Sequence, residues 1–125
     1  MATAFGYAQI LALSQTGIQS AESAYPESGA CQLQASWFDA DRNPYTPLLL
    51  NYRLDELESM VELLPWTSLT PSSVNTVTVT SAQNAMVNSA RESETHQALF
   101  QITGQDNNVS YARATFKITR TVGAP

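Results

Sequence analysis

The chain has 125 residues, of which 43% are hydrophobic and 14% are charged, and its formal net charge is −5. Binding to a polyanion needs clustered Lys and Arg, whereas the six basic residues here are scattered, so we expect no nucleic-acid partner. No apolar run approaches the roughly 20 residues that cross a bilayer, so we expect no membrane role. The length predicts one main domain with a sizeable core, and the composition favours short strands over long helices.

Cysteine usage points to a reducing compartment. Cys31 is the only cysteine, so no disulfide can form within the chain. The N-terminus also lacks the basic region of a secretory signal. Together these features predict synthesis in a cytoplasm.

The N-terminal segment, residues 1–21, is uncharged and carries six large apolar side chains that need to be buried. Two alternatives follow: it supplies a first strand or cover for the same domain, or it forms an extended arm that packs on a neighbouring subunit. Residues 20–30 have the composition of a connector. We therefore divide the chain into an arm with its connector, residues 1–29, and a main domain, residues 30–125. The candidate partner-binding residues of the arm are Phe5, Tyr7, Ile10, Leu11, Leu13 and Ile18.

The main domain begins with a strand and a hairpin. Apolar and polar side chains alternate over residues 31–37, which predicts a strand. From residue 48 a second alternation runs into an acidic turn, after which an apolar segment at 60–64 predicts the return strand of a hairpin. Pro65 should end that strand or place it at a sheet edge, and Trp66 should act as a large anchor near that end. The inward stripe of the first hairpin strand is Leu48, Leu50, Tyr52 and Leu54.

Three more strands are predicted at residues 74–80, 96–103 and 110–121. Ser81 is an acceptable N-cap for a single helical turn after the first of them. The turn at 104–108 consists of residues that tolerate left-handed backbone.

The pattern therefore contains six strands, or seven with the N-terminal segment, and no helix long enough for a βαβ crossover. This predicts an all-β fold, an antiparallel two-sheet sandwich of the immunoglobulin or fibronectin type III kind with an N-terminal extended arm. The rings expected inside the sandwich are Trp37, Tyr52, Phe100 and Phe116.

Catalytic signals are weak, and we predict that the chain is not an enzyme. His96 is the only histidine, no G-x-S-x-G elbow is present, and at the mouth of a strand His96 is expected to be a surface residue. The carboxylates Glu56, Glu58 and Glu62 are expected to be solvated charges at the hairpin tip. Cys31 is expected to be a small core residue.

A metal or cofactor is not expected either. Residues 39–43 copy the D-x-D-x-N start of a calcium loop, but Pro44 and Leu50 replace the Gly and the Glu that such a loop needs. Asp and Asn also cap turns through their own side chains, without a metal. The chain has no Gly-rich phosphate loop and no Cys/His metal spacing.

Several short motifs, in order, carry a resemblance over about residues 48–119. They are Tyr52-Arg53-Leu54-Asp55 with an acidic turn, Trp66-Thr67-Ser68-Leu69-Thr70-Pro71, a Thr/Val strand, and Ser81-Ala82-Gln83-Asn84 with Glu94 before the penultimate strand. In these features the chain resembles small β-sandwich structural proteins of tailed bacteriophages. In that class the hairpin turn often contains Gly, whereas here it is Glu58-Ser59-Met60. The resemblance implies a fibronectin-like sandwich that acts by assembly.

The expected function is that of a virion structural protein, made in the host cytoplasm. Its expected partners are other virion proteins, such as major capsid or tail subunits, and copies of itself. Capsid cement or decoration ranks first, and a tail or head–tail connector component is the alternative. A glycan-binding host-attachment module, using exposed Tyr and Trp rings, is a further alternative. The arm could contact a partner by adding a strand to an exposed sheet edge.

Overall fold

A computed structural model describes residues 3–13, 24–26, 30–80, 82–88 and 90–119. Within these ranges there are eight strands and no helix. None of the described segments could therefore cross a membrane as a helix. The strands are β1 (Tyr7–Leu13), β2 (Ala24–Pro26), β3 (Cys31–Phe38), β4 (Leu49–Glu56), β5 (Val61–Leu69), β6 (Val74–Val79), β7 (Ser93–Thr103) and β8 (Val109–Thr119).

The strands form two facing sheets. The three-stranded sheet has the order β1-β3-β6, and the five-stranded sheet has the order β2-β8-β7-β4-β5. All neighbouring strands are antiparallel except β2, which pairs with the end of β8 in parallel. The predicted all-β two-sheet sandwich is confirmed.

The core lies between the sheets and is built from the alternating stripes. The four rings expected inside are buried, and Trp37 and Phe100 meet edge to face with 5.5 Å between ring centroids. Tyr52 stacks on Phe100 at 6.0 Å. Burial of each such side chain stabilises the fold by about 1.5–3 kcal/mol, and the Trp37–Phe100 contact joins the two sheets.

The N-terminal segment joins this sandwich. β1 pairs with β3 over seven residues, from Tyr7 opposite Phe38 to Leu13 opposite Gln32. β2, inside the predicted connector, pairs with the end of β8. Both strands precede residue 30, so the described part of this segment adds a strand to each sheet, while the division of the chain at residue 29 stays a prediction.

The hairpin return strand is longer than predicted. β5 continues through Pro65 to Leu69 because it lies at the edge of its sheet, where a missing N–H leaves no ladder bond open. Between the pairs Leu54↔Leu64 and Tyr52↔Thr67, β5 carries one extra residue. A second extra residue lies between the pairs Asp55↔Glu62 and Leu54↔Leu64, so the alternation of faces is shifted at the first bulge and restored at the second.

Two other local predictions need correction. Leu48 precedes β4 and is exposed, so it is not part of the inward stripe. The cap after β6 is Thr80: its hydroxyl accepts the Gln83 N–H, and the Gln83 side chain accepts the Thr80 N–H. This reciprocal pair is a capping box. The predicted cap, Ser81, lies outside the described residues.

Candidate functional site

The outer face of the five-stranded sheet is the surface formed by the outward side chains of β4, β5, β7 and β8. Strand register aligns these side chains in rows, such as Arg53, Leu99 and Arg113. The face exposes several large apolar or aromatic side chains, and exposed apolar surface of this kind marks contact sites when it is contiguous. They are Leu49 (56% exposed), Trp66 (41%), Val109 (51%) and Tyr111 (55%).

An arginine and a tryptophan lie together on this outer face. The Arg53 guanidinium donates two hydrogen bonds to Asp55, at 3.0 and 2.7 Å, and a third to Glu62 at 3.1 Å. It lies over the Trp66 ring, with 5.6 Å from Cζ to the ring centroid. The predicted role of Trp66 as an end anchor is therefore wrong, because its side chain is exposed and contacts an outward arginine.

A shallow cavity of about 320 Å³ opens beside this pair. Leu57, Met60 and Leu99 supply its apolar walls, while Arg53 and Asp55 supply its charged rim. Met60 is 77% exposed and has φ 55°, a left-handed conformation that favours Gly. An apolar floor with a charged rim is an arrangement that receives a side chain from a partner surface.

A buried ionic cluster, formed by Glu56, Arg91, Glu94 and His96, closes one end of the sandwich. Arg91 donates to Glu56 at 2.9 Å and to Glu94 at 3.2 Å, and both carboxylates are fully buried. Glu94 also accepts the backbone N–H groups of Val87 and Asn88. The cluster therefore ties the loop before β7 to the end of the β4–β5 hairpin.

Two predictions about this cluster are wrong. His96 is fully buried rather than on the surface, because the inward stripe of β7 continues from Phe100 and Ala98 to His96 and Glu94. Glu56 is not a solvated charge at the hairpin tip, since it accepts hydrogen bonds from Arg91 and from the Ser59 N–H. Glu58 and Glu62 are exposed, as predicted.

Burial and hydrogen bonding set the charge states in the cluster. Burial alone raises the pKa of Glu56, but the hydrogen bonds from Ser59 and Arg91 outweigh it, and the net pKa is lowered. Burial lowers the pKa of His96, against an opposing contribution from Glu94. His96 is thus neutral near pH 7, with Nε2 3.5 Å from Glu94. Its Nδ1 has no hydrogen-bond partner among the described residues.

The remaining candidate groups have structural partners. The Cys31 thiol is buried, which raises its pKa, and the Asn84 amide lies 3.7 Å from its sulfur. Asp39 accepts the N–H groups of Asp41 and Asn43, both at 2.9 Å, so its carboxylate caps the turn. Within the described residues, no three His, Cys, Asp or Glu side chains are grouped as metal ligands would be.

The four candidate residues of the N-terminal segment whose side chains the structure describes differ in their surroundings. The Phe5 ring packs against Trp37 and Tyr45, and Tyr7 stacks on Phe38 at 5.0 Å. Ile10 is half-buried and Leu11 is exposed. Leu13 lies in β1, and Ile18 lies outside the described residues. Their role in binding a partner stays a prediction.

No family model and no curated protein matches this chain. Among solved structures, it is similar to the soluble domain of PmoD from Methylocystis sp. (Rockwell), with a TM-score of 0.51 and 17% sequence identity. The match covers 94% of this chain and 96% of that one. At this identity the likeness shows the fold, a two-sheet sandwich, and nothing about activity.

Proposed function

We propose that the chain is a non-enzymatic structural protein of a bacteriophage virion, which binds neighbouring subunits through the outer face of its five-stranded sheet. Capsid cement or decoration is the role we propose first. The carrying observation is the outer face itself, which exposes Trp66 and Tyr111 and also holds a cavity with apolar side chains in its walls. The proposal that the chain belongs to a virion is supported by the order of the short motifs in which it resembles phage structural proteins.

The use of the polar groups supports a role in docking. Glu56 and Glu94 accept hydrogen bonds from backbone N–H groups and from Arg91, and the Cys31 thiol is buried in the core. Groups held in this way stabilise a scaffold. The exposed side chains of the outer face are therefore the groups left to bind a partner. On a symmetric shell, many repeated contacts of this kind would add up even if each one were weak.

Copy number separates the two virion roles. A decoration protein would be present at on the order of hundreds of copies per particle, whereas a tail or connector ring would have about six or twelve, as closed cyclic symmetry requires. Quantitative mass spectrometry of purified mature particles measures this number. Absence of the chain from washed particles would contradict the proposal.

A pair of matched variants tests the face. Leu99→Glu adds a charge at the cavity on the outer face, and we expect a folded chain that is no longer incorporated into particles. Thr76→Glu adds the same charge on the exposed side of the three-stranded sheet and should be incorporated normally. Equal incorporation of both variants would remove the outer face from the proposal.

Glycan binding is the second candidate, because Trp66 and Tyr111 expose rings on the same face. Sugars stack on such rings, although Arg53 already lies over one side of Trp66. A glycan array with the isolated chain decides this point. Hits that are lost in Trp66→Ala would favour host attachment over decoration.

A further inference from the structure

The cavity on the outer face is built around the turn of the β4–β5 hairpin. This turn, residues 57–60, supplies Leu57 and Met60 to the cavity walls, and β7 supplies Leu99. Leu57 and Leu99 are half-buried, whereas Met60 is 77% exposed. The cavity therefore combines two apolar side chains that are fixed in the fold with one that projects into solvent.

Hydrogen bonds to the rest of the fold hold this turn in place. The Leu57 N–H donates to the Thr95 carbonyl at 2.9 Å, and the Thr95 N–H donates to the Glu58 side chain at 2.6 Å. The Arg91 guanidinium donates to the Ser59 hydroxyl at 2.6 Å. The walls of the cavity are thus formed in the free chain, and a preformed site loses less free energy to ordering when it binds a partner.

The backbone of Met60 is strained, and its side chain is not buried in compensation. Its φ of 55° lies in the left-handed region, which penalises a residue with a Cβ atom and which glycine adopts freely. Strained backbone of this kind clusters at functional sites. A partner that covers the Met60 side chain would give it the burial that it lacks within this chain.

The ionisable side chains around the cavity are mainly acidic. Asp55 lies in its wall, Glu58 lies between the two wall residues of the turn, and Glu62 contacts Arg53 at 3.1 Å. Three carboxylates and one guanidinium leave two negative charges, and Arg53 already donates three hydrogen bonds to Asp55 and Glu62. Because Glu58 and Glu62 are exposed, cationic groups of a partner would complement this rim.

We propose that the cavity receives one large apolar side chain of a neighbouring virion protein, and that Lys or Arg residues next to it in that protein contact the carboxylates of the rim. Leucine, methionine and phenylalanine are the class of side chain that the apolar walls fit. The inference rests on the proposed function for the identity of the partner. The chemistry of recognition is measurable on the isolated chain.

Three short peptides test this chemistry, with Lys-Leu-Lys, Lys-Ser-Lys or Glu-Leu-Glu between identical Gly-Ser flanks. Binding to the intact chain is followed by NMR of the Leu99 methyl groups, which lie in the cavity wall. We expect Lys-Leu-Lys to bind with a dissociation constant on the order of 1 mM. It should bind at least about tenfold more tightly than Lys-Ser-Lys, because burial of one leucine side chain contributes about that factor. General attraction to a chain of net charge −5 would favour both Lys peptides equally.

Met60→Gly separates binding from folding. The variant relieves the left-handed strain but removes an apolar wall, so the affinity for Lys-Leu-Lys should fall at least about fivefold while the midpoint of urea unfolding does not fall. Leu48→Gly is the matched control, since it removes a 49% exposed apolar side chain beside the other end of β4 and should leave the affinity unchanged. Equal affinity of the parent chain and Met60→Gly would contradict the proposal.

Glu62→Gln tests the acidic rim. The variant keeps a side-chain oxygen that can accept the hydrogen bond from Arg53 but removes one negative charge, so the affinity for Lys-Leu-Lys should fall about threefold. Asp41→Asn changes the net charge equally in the turn after β3 and should leave the affinity unchanged. Equal losses in the two variants would mean that overall charge, and not the rim, attracts the peptide.

Other outcomes would also overturn the inference. They are equal binding of the two Lys peptides, tighter binding of Glu-Leu-Glu, and no shift of the Leu99 methyl groups at about 10 mM peptide. Self-association of the chain alone that Met60→Gly abolishes would assign the cavity to a second copy instead.

Failure of this inference is distinguishable from failure of the proposed function. A chain that copurifies with virions but does not bind Lys-Leu-Lys would retain the proposed function and lose this assignment of the cavity. A chain that binds the peptide but is absent from virions would do the reverse.

Discussion

Two arginines in this sandwich each contact two carboxylates, but the carboxylates differ in their burial. Arg91 contacts Glu56 and Glu94, whose side chains are fully buried, whereas Arg53 contacts Asp55 and Glu62, whose side chains are 15% and 49% exposed. The two arginines themselves are equally exposed, at 27% and 26%. The two sets therefore differ in the burial of their carboxylates: the Arg91 contacts lie inside the fold, and the Arg53 contacts lie on the outer face that we propose for docking.

The largest expected effect on stability comes from comparing the loss of one carboxylate that contacts Arg91 with the loss of one that contacts Arg53. Glu94→Ala leaves the N–H groups of Val87 and Asn88 without their carboxylate acceptor, removes a buried partner of Arg91, and should cost about 2–4 kcal/mol of unfolding free energy. Glu62→Ala removes one exposed contact and should cost less than about 1 kcal/mol. Urea denaturation of both variants measures the difference. Equal losses would break the comparison.

Acid should destabilise the fold through the buried ionic cluster. The pKa of His96 is lowered from 6.5, so the unfolded chain binds more protons just below that pH, and stability is lost as the pH falls through 6.5. The pKa of Glu56 is lowered from 4.5, so its contribution is present above 4.5 and is lost as the pH falls further. Both groups act in the same direction.

His96→Gln isolates the first part of this dependence. The variant should lose stability less steeply than the parent as the pH falls below 6.5, because the pKa of His96 is lowered from that value in the folded chain. Thermal melting followed by circular dichroism at several pH values gives the profile. An unchanged slope in the variant would mean that His96 does not titrate as its burial requires.

The smallest expected effect concerns salt. The contacts of Arg53 are partly exposed and should be screened at about 1 M NaCl, while those of Arg91 with buried carboxylates should persist. Arg53→Met should therefore change stability little in either low or high salt. A strong loss in low salt would show that the outer-face contacts hold the fold together.

Sequence patterning predicted the interior well and the polar contacts poorly. The period-2 stripes of β3, β4 and β7 place Trp37, Tyr52 and Phe100 inside, because a half-buried strand must alternate. His96 and Glu56 lie on the same inward stripes, but the sequence does not show whether a polar residue there is buried, because that depends on a hydrogen-bond partner elsewhere in the chain. For Glu56 that partner is Arg91, 35 positions away.

The outer face escaped prediction for a different reason. Trp66 was expected as an end anchor, but it lies exposed on the edge strand β5, whose pairing with β4 is interrupted by two extra residues. Pro65 was the available signal, because proline is typical of edge strands and bulges. The order of the strands in the two sheets is likewise not contained in the alternation.

The most direct test of the docking surface is oxidative footprinting of the aromatic side chains in the free chain and in purified particles. We expect Trp66 and Tyr111 to be labelled in the free chain and protected in particles, while buried Trp37 stays unlabelled in both. Equal labelling of Trp66 and Tyr111 in the two samples would contradict a docking role for the outer face.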